Sequence, residues 1–93
     1  MLIELVWGIH DGRVLTRSRR PPPFIWVDAA ARLFKEPGEG RVLYRLRGYG
    51  ATLSGQVERL VYRLDAHTVR CEGCGWFVPS EDACVLCEMP LSV

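Results

Sequence analysis

Cys71-Glu72-Gly73-Cys74 and Cys84-Val85-Leu86-Cys87 contain all four cysteines of this 93-residue chain and decide how its C-terminal part folds. Nine residues separate the two C-x-x-C pairs. In each pair the backbone turns sharply, so that both sulfurs point at one ion, and two pairs at this spacing are typical of a tetrahedral four-thiolate site. We therefore predict that Cys71, Cys74, Cys84 and Cys87 bind one structural metal ion.

Other roles for these cysteines fit the sequence less well. A disulfide within either C-x-x-C pair closes a tight, strained ring, and disulfides between the pairs suit a secreted domain, for which we find no export signal. A thioredoxin-type redox pair needs a strand–helix–strand pattern that the sequence lacks. Zinc is favoured because it forms closed tetrahedral thiolate sites, and iron in a rubredoxin-like centre stays an alternative.

Residues 69–90 resemble known zinc modules. Cys71 to Gly75 looks like the first knuckle of the zinc-ribbon family, and the whole stretch is similar to a RanBP2-type zinc finger. The shared features are the two pairs around a short loop, an aromatic residue after the second cysteine (Trp76) and a proline after the last (Pro90). The resemblance implies zinc binding, and that family binds RNA or ubiquitin. The chain departs from it at Val69, where the family has tryptophan, and at Glu88, where a knuckle has glycine.

Charge divides the chain in two. Residues 1–70 hold all twelve basic side chains and seven acidic ones, a balance of +5, whereas residues 71–93 hold four acidic side chains and no basic one. Four thiolates around a divalent ion add a further −2. We predict one small basic body, residues 1–67, followed by an acidic metal ribbon, residues 68–93. Such a ribbon is a poor reader of phosphate and is expected to dock on its own body or on a partner protein.

The body is predicted to be α+β, a small antiparallel sheet with one or two short helices. Asp11-Gly12 between apolar runs is typical of a two-residue type I′ hairpin turn, which places Ile9 opposite Val14 and Trp7 opposite Thr16 on the core face. His10 is expected to be a solvated turn residue. Residues 24–27 and 41–47 read as strands, and Gly48-Tyr49-Gly50 reads as a turn.

Two segments are predicted to be helical. Asp28 is a suitable N-cap for a helix over residues 29–35. Residues 54–65 carry Val57, Leu60, Val61 and Leu64 at helical spacing, which favours a helix. A strand with Leu60, Tyr62 and Leu64 on one side is the alternative for this second segment.

Arginine dominates the basic residues, with eleven arginines and one lysine. Guanidinium groups form bidentate hydrogen bonds with phosphate and stack on bases. The predicted strands carry two arginine stripes, one of Arg13, Arg17 and Arg19 and one of Arg41, Arg45 and Arg47. If the two stripes share an exposed face beside Tyr49, they suit single-stranded nucleic acid. They also suit a solvated strand face, or a surface that holds the acidic ribbon. The candidate nucleic-acid-binding residues are Arg13, Arg17, Arg19, Arg41, Arg45, Arg47 and Tyr49.

These observations favour a small zinc-binding protein that is not an enzyme, since a closed thiolate site leaves no open position for water. Nucleic acid, single-stranded or RNA, is the first expected partner. The alternative is an adaptor or regulator that contacts a protein of the information-processing machinery through Trp76 and Phe77. We expect no membrane partner and no small-molecule substrate. Reduced, metal-binding thiols and the lack of an export signal indicate the cytoplasm.

Overall fold

A computed structural model describes residues 2–16, 20–51, 53–55 and 57–91. These residues form eight strands in two sheets, and the only helical segment among them is a single 3₁₀ turn, Gly8–His10. The predicted α+β class is therefore wrong, because the described chain is almost entirely β. None of its segments is a helix long and apolar enough to cross a bilayer. The strands are β1 (Leu2–Val6), β2 (Val14–Thr16), β3 (Phe24–Val27), β4 (Leu33–Phe34), β5 (Val42–Ala51), β6 (Val57–Leu64), β7 (Thr68–Arg70) and β8 (Phe77–Pro79).

The first six strands form one sheet in the order β2-β1-β6-β5-β3-β4. All neighbouring strands are antiparallel except β1 and β6, which run parallel with Ile3 opposite Leu60 and Leu5 opposite Tyr62. Side chains alternate between the two faces of a strand, and one face of this sheet collects the main core. That core consists of Ile3, Leu5, Ile25, Val27, Tyr44, Leu60 and Tyr62.

The second sheet pairs β7 with β8 and carries the cysteines, with its own buried cluster of Cys71, Val78 and Cys84. The predicted boundary between residues 67 and 68 falls in the connection between β6 and β7. The division into a body (residues 1–67) and a ribbon (residues 68–93) stays a proposal. We keep the name ribbon for the second segment.

The N-terminal hairpin exists, but its predicted register is wrong. Ile3 lies opposite Leu15 and Glu4 opposite Val14, so Leu15 packs on the core while Val14 is exposed. Asp11 has φ −53° and Gly12 has φ 82°, and the N–H of Arg13 donates to the carbonyl of His10. This is a type II turn, which needs a positive φ only at its third residue. The predicted register places Arg20 opposite Ile3, five residues beyond Leu15, and an odd displacement exchanges the two faces of a strand. β2 therefore turns Leu15 to the core in place of Val14 and Thr16, and Ile9, also predicted on the core face, is exposed.

The predicted helix over residues 29–35 is also wrong. The Asp28 carboxylate accepts hydrogen bonds from the N–H groups of Ala30 and Arg32, both at 3.0 Å. It therefore caps a turn as an N-cap residue does. Ala31 has φ 60°, however, so the helical conformation stops there. Leu33 and Phe34 then pair with β3 as the edge strand β4, which adds sheet hydrogen bonds that a two-turn helix cannot supply.

Residues 57–64 form a strand, so the preferred helix is wrong and the strand alternative is confirmed. β6 lies between β1 and β5, with Leu60 and Tyr62 in the core and Leu64 packed against it. The core face of β6 carries Leu60 and Leu64, and its outer face carries Val57 and Val61 beside Arg59 and Arg63. Apolar residues on both faces at these positions produced the apparent helical spacing.

Gly48, Tyr49 and Gly50 belong to β5, so the turn predicted for them is wrong. A register shift between Leu46 and Gly48 marks a β-bulge in this strand. A Cβ on Gly50 would meet the Arg59 side chain at 3.3 Å. Glycine in a strand often marks such a bulge or a close approach of a neighbouring group.

The loop after β1 is held in an unusual conformation. Trp7 has φ 71° and ψ 157°, a region that side chains other than glycine rarely occupy. Its N–H donates to the Asp11 carboxylate at 2.6 Å, and its carbonyl accepts from the Tyr44 hydroxyl at 2.7 Å. Trp7 was expected in the core but is 58% exposed, and His10, expected in solvent, is buried. Neither His10 ring nitrogen has a hydrogen-bond partner within the described ranges.

Candidate metal centre and its contact with the sheet

The four cysteine sulfurs lie together at one point of the ribbon. Each Sγ is within 4.8 Å of the other three. The Sγ atoms of Cys71 and Cys87 are 3.5 Å apart, and those of Cys74 and Cys84 are 3.8 Å apart. Zn–S bonds of about 2.3 Å in a tetrahedron place neighbouring sulfurs about 3.8 Å apart. The predicted cluster is therefore present, with a size that fits one tetrahedral metal ion.

Two knuckles of the same geometry supply these sulfurs. In the first, Cys71 donates its N–H to the carbonyl of Trp76 and accepts from the N–H of Gly75. In the second, Cys84 makes the corresponding bonds, donating to the carbonyl of Met89 and accepting from the N–H of Glu88. The two knuckles are 13 residues apart along the chain, and the same distance relates the pairing of Arg70 with Phe77 to the bridge between Ala83 and Pro90. The ribbon is thus two similar hairpin turns that face each other.

Glu88 occupies the position of the missing knuckle glycine. Gly75 has φ 79° and Glu88 has φ 63°, so both knuckles need a left-handed residue at the equivalent point. This conformation costs a residue with a Cβ roughly 1–2 kcal/mol. The second knuckle therefore keeps the geometry of the first at the expense of local backbone strain.

The thiols perturb one another in opposite directions. The backbone N–H of Cys74 is the main cause that lowers the pKa of Cys71 to about 7. The N–H of Met89 acts on Cys87 in the same direction, but the neighbouring Cys71 sulfur and burial outweigh it and raise the pKa of Cys87 to about 11. Once one sulfur is ionised, its neighbour resists ionisation. A divalent cation removes this repulsion, so the donor set fits an ion that binds four thiolates.

Arg45 connects the ribbon to the larger sheet. Its Nη2 lies 2.7 Å from the carboxylate of Glu81 in the ribbon and 3.4 Å from the carboxylate of Asp65 at the end of β6. The Ser80 N–H also donates to the carbonyl of His67 at 3.3 Å. The acidic ribbon thus docks on its own body, one of the two arrangements that its charge predicted.

Trp26 lies on the same outer face of the sheet as Arg45. It pairs with Leu43, and both side chains are buried although they point away from the main core. Two cavities border Trp26. One also borders Trp76 and Phe77, and the other borders Val85 and Leu86 of the second knuckle. Residues that follow the first knuckle and residues of the second knuckle thus both lie near Trp26.

The predicted protein-contact residues stand at the first of these cavities. Trp76 is 45% exposed and Phe77 is 61% exposed. The cavity is a cleft of about 430 Å³ between the ribbon, the loop after β4 and the ends of β5 and β6. Each exposed ring thus lies beside a concave, mostly apolar surface.

The predicted arginine surface is only partly present. Arg17 and Arg19 lie outside the described residues. Arg41 stacks on Phe34, with its guanidinium carbon 3.4 Å from the ring centre, and donates to the carbonyls of Glu36 and Pro37. Arg45 is held by the two carboxylates described above, and Arg13 and Arg47 are exposed. Two of the four described members of the set are therefore engaged within the protein.

Sequence reasoning missed two arginines of β6. Arg59 Nη1 lies 3.2 Å from the carboxylate of Glu4 on β1. The Arg63 guanidinium lies 4.5 Å from the centre of the Trp7 ring. Arg63 also pairs directly with Arg45 across β5 and β6, and the two charges are turned to different partners. Reading residues 57–64 as a strand would have placed these side chains on the sheet surface.

Comparisons with protein-family models, with curated proteins and with solved structures find no match to this chain. Function therefore has to be argued from the cysteine cluster and its surroundings.

Proposed function

We propose that the protein is a small zinc-binding interaction module whose ribbon presents Trp76 and Phe77 to a partner protein. The observation that carries this proposal is the contrast between the two predicted surfaces. The two aromatic rings are exposed beside a cleft, whereas Arg41 and Arg45 make contacts within the protein. Exposed aromatic side chains next to a pocket are typical anchors of protein interfaces.

The metal has a structural role in this proposal. A closed four-thiolate site leaves no position for substrate, which supports a binding module over an enzyme. The ribbon buries few side chains, so the ion supplies much of the free energy that keeps the knuckles folded. Trp76 and Phe77 follow directly after the first knuckle, and a folded knuckle keeps both rings in place. Zinc is the proposed ion and iron the alternative, since both bind four thiolates.

Metal analysis tests the first half of the proposal. We expect one zinc per chain in protein purified under reducing conditions, measured by elemental analysis together with a protein assay. Cys71→Ser and Cys84→Ser should each abolish stoichiometric binding. A red, iron-containing protein would replace zinc by iron in the proposal. Protein without any metal after reconstitution with either ion would contradict it.

Affinity capture tests the second half. The immobilised, zinc-loaded protein is compared with a Trp76→Ala/Phe77→Ala variant and with a matched Arg47→Ala/Tyr49→Ala variant. The second variant removes two exposed side chains from β5 and leaves the ribbon intact. We expect captured proteins to be lost only with the first variant. Equal capture by all three proteins would contradict a role for the two aromatic residues.

Nucleic-acid binding is the second candidate function, and one observation favours it. Arg47 and Tyr49 are both exposed on β5, beyond the segment where the arginines make internal contacts. An arginine beside an exposed aromatic ring suits a single-stranded nucleic acid through charge and stacking. Fluorescence anisotropy with single-stranded RNA tests it at several salt concentrations. Binding that falls steeply with salt and is lost with Arg47→Ala/Tyr49→Ala would favour this function over protein interaction.

A further inference from the structure

The cleft beside the ribbon has an apolar floor and an aromatic rim. Trp26 and Leu43 form part of its floor, and both are at least 95% buried. Trp76 and Phe77 stand at its edge and are partly exposed. Trp26 and Leu43 lie on the sheet face opposite the main core. A side chain that enters the cleft therefore meets aromatic rings from both the sheet and the ribbon.

The charged groups at the cleft favour a cation. Glu39 and Asp65 both border it. The Asp65 side chain is 5% exposed, and its Oδ2 has no hydrogen-bond partner in the described part of the chain, although Arg45 lies 3.4 Å away. Arg41 also borders the cleft, but the Phe34 ring and two backbone carbonyls hold its guanidinium. Arg45 already neutralises the Asp65 carboxylate, so the carboxylate open to a ligand is that of the exposed Glu39, while the guanidinium of Arg41 is engaged elsewhere.

We propose that this cleft binds a basic segment of the partner protein, with an arginine or lysine side chain inserted between the rings. The methylene groups of that side chain would lie against Trp26 and Trp76, and its cationic group would meet Glu39. Aromatic faces attract cations, and arginine stacks on them particularly well. The ribbon adds four acidic residues and one basic one, Arg70, so its field attracts the same segment. The inference rests on the proposed protein-interaction function and adds the chemical class of the partner.

Three short fluorescein-labelled peptides test the proposal against the zinc-loaded protein. One alternates arginine with serine, and in the other two leucine or glutamate replaces arginine. We expect anisotropy to show binding of the arginine peptide alone. In a two-dimensional NMR spectrum, that peptide should shift the indole N–H signals of Trp26 and Trp76. The signal of Trp7, which does not border the cleft, should stay in place.

Two charge-reversal variants in the loop after β4 distinguish binding in the cleft from general electrostatic attraction. Glu39→Lys places a positive charge at the cleft. Glu36→Lys makes the same change at an exposed residue that does not border it. We expect Trp76→Ala to weaken binding of the arginine peptide about tenfold, the size expected for a partly desolvated cation–π contact. Glu39→Lys replaces attraction of the cation by repulsion and should weaken binding by at least about as much. Glu36→Lys should have a small effect.

The outcomes distinguish this inference from the proposed function. Three results would overturn the basic-segment proposal. They are an equal loss of affinity with Glu36→Lys and Glu39→Lys, binding of the leucine peptide as tight as that of the arginine peptide, and no binding of the arginine peptide. The proposed function would survive such a result if Trp76-dependent capture of proteins persists and the arginine peptide does not compete with it. Both proposals fall if capture does not depend on Trp76 and the arginine peptide does not bind.

Discussion

The guanidinium of Arg45 lies 2.7 Å from the carboxylate of Glu81 in the ribbon. Arg45 belongs to β5, a central strand of the large sheet. The same guanidinium faces Asp65 at 3.4 Å and lies 5.0 Å from the centre of the Phe24 ring. The Asp65 side chain is nearly buried, whereas that of Glu81 is 43% exposed. Arg45 therefore neutralises a buried acid of the sheet and holds an exposed acid of the ribbon at the same time.

The two halves of this contact should differ in their effect on stability. Arg45→Ala leaves the Asp65 carboxylate buried without its cation, and we expect a loss of about 1–3 kcal/mol in the free energy of unfolding. Glu81→Gln removes only an exposed ion pair and should cost less than about 1 kcal/mol. Urea unfolding measures both, with Arg47→Ala as the control on the same strand. Similar losses for Arg45→Ala and Arg47→Ala would show that the contact does not contribute.

Removal of the metal should unfold the ribbon and leave the large sheet. The core of Ile3, Leu5 and Tyr62 contains no cysteine, whereas the ribbon cluster is built on Cys71 and Cys84. Since metal binding supplies folding free energy to such modules, a chelator should abolish amide-exchange protection in residues 68–91. Protection in β1, β5 and β6 should remain. Hydrogen exchange with and without chelator is the measurement, and unchanged protection in the ribbon would contradict a structural metal.

Replacing Glu88 by glycine should stabilise the second knuckle. Glu88 has φ 63°, and glycine adopts this conformation without the clash of a Cβ. Allowing for the greater flexibility of glycine in the unfolded chain, we expect a gain of about 0.5–1 kcal/mol. Gly75→Ala is the mirror experiment and should destabilise the first knuckle. Thermal unfolding of the zinc-loaded variants measures both changes, and a loss with Glu88→Gly would contradict the strain argument.

Asp28 should make stability depend on pH in the acid range. The N–H of Arg32 is the main cause that lowers the pKa of Asp28 below its ordinary value of 3.8. A carboxyl whose pKa is lower in the folded state stabilises the protein above its unfolded pKa. That contribution disappears as the pH falls through the folded pKa. Asp28→Asn should therefore be less stable than the parent near neutrality, and the difference should shrink below about pH 4.

Urea unfolding of both proteins at several pH values checks this dependence. Arg32→Gln is the matched control. It removes the side-chain partner, which lies 2.7 Å from the carboxylate, and leaves the Arg32 N–H bond in place. In the Arg32→Gln background, the effect of Asp28→Asn on stability near neutral pH should be smaller but still present. A stability difference between parent and Asp28→Asn that is constant from neutral to acid pH would show that the charge of Asp28 is not involved.

Local signals in the sequence anticipated several features correctly. The strand at residues 24–27 follows from a short apolar run, and the spacing of the cysteines predicted their convergence. Val42, Tyr44 and Leu46 alternate in β5 and lie on or against the core, as the pattern indicates. Each of these features depends on neighbours a few residues away, so the sequence alone carries it.

The predicted helices failed where distant contacts override local preference. Asp28 makes the hydrogen bonds of a cap, but pairing with β3 draws Leu33 and Phe34 into a strand. Residues 57–64 have apolar residues at helical spacing, but pairing with β1 and β5 on either side makes them a strand, and neither pairing is local to the segment. Strand order likewise decided whether each arginine faces solvent or contacts another residue of the protein.

The sequence by itself determined the four-sulfur cluster, the acidic character of the ribbon and the basic character of the body, since spacing and charge are properties of the chain. Only the tertiary structure decided that Arg45 is directed at Glu81 and that Trp76 stands over a cleft beside Trp26. Ion pairs and clefts form between segments far apart in the chain, and their geometry exists only after the sheet has paired in its final register.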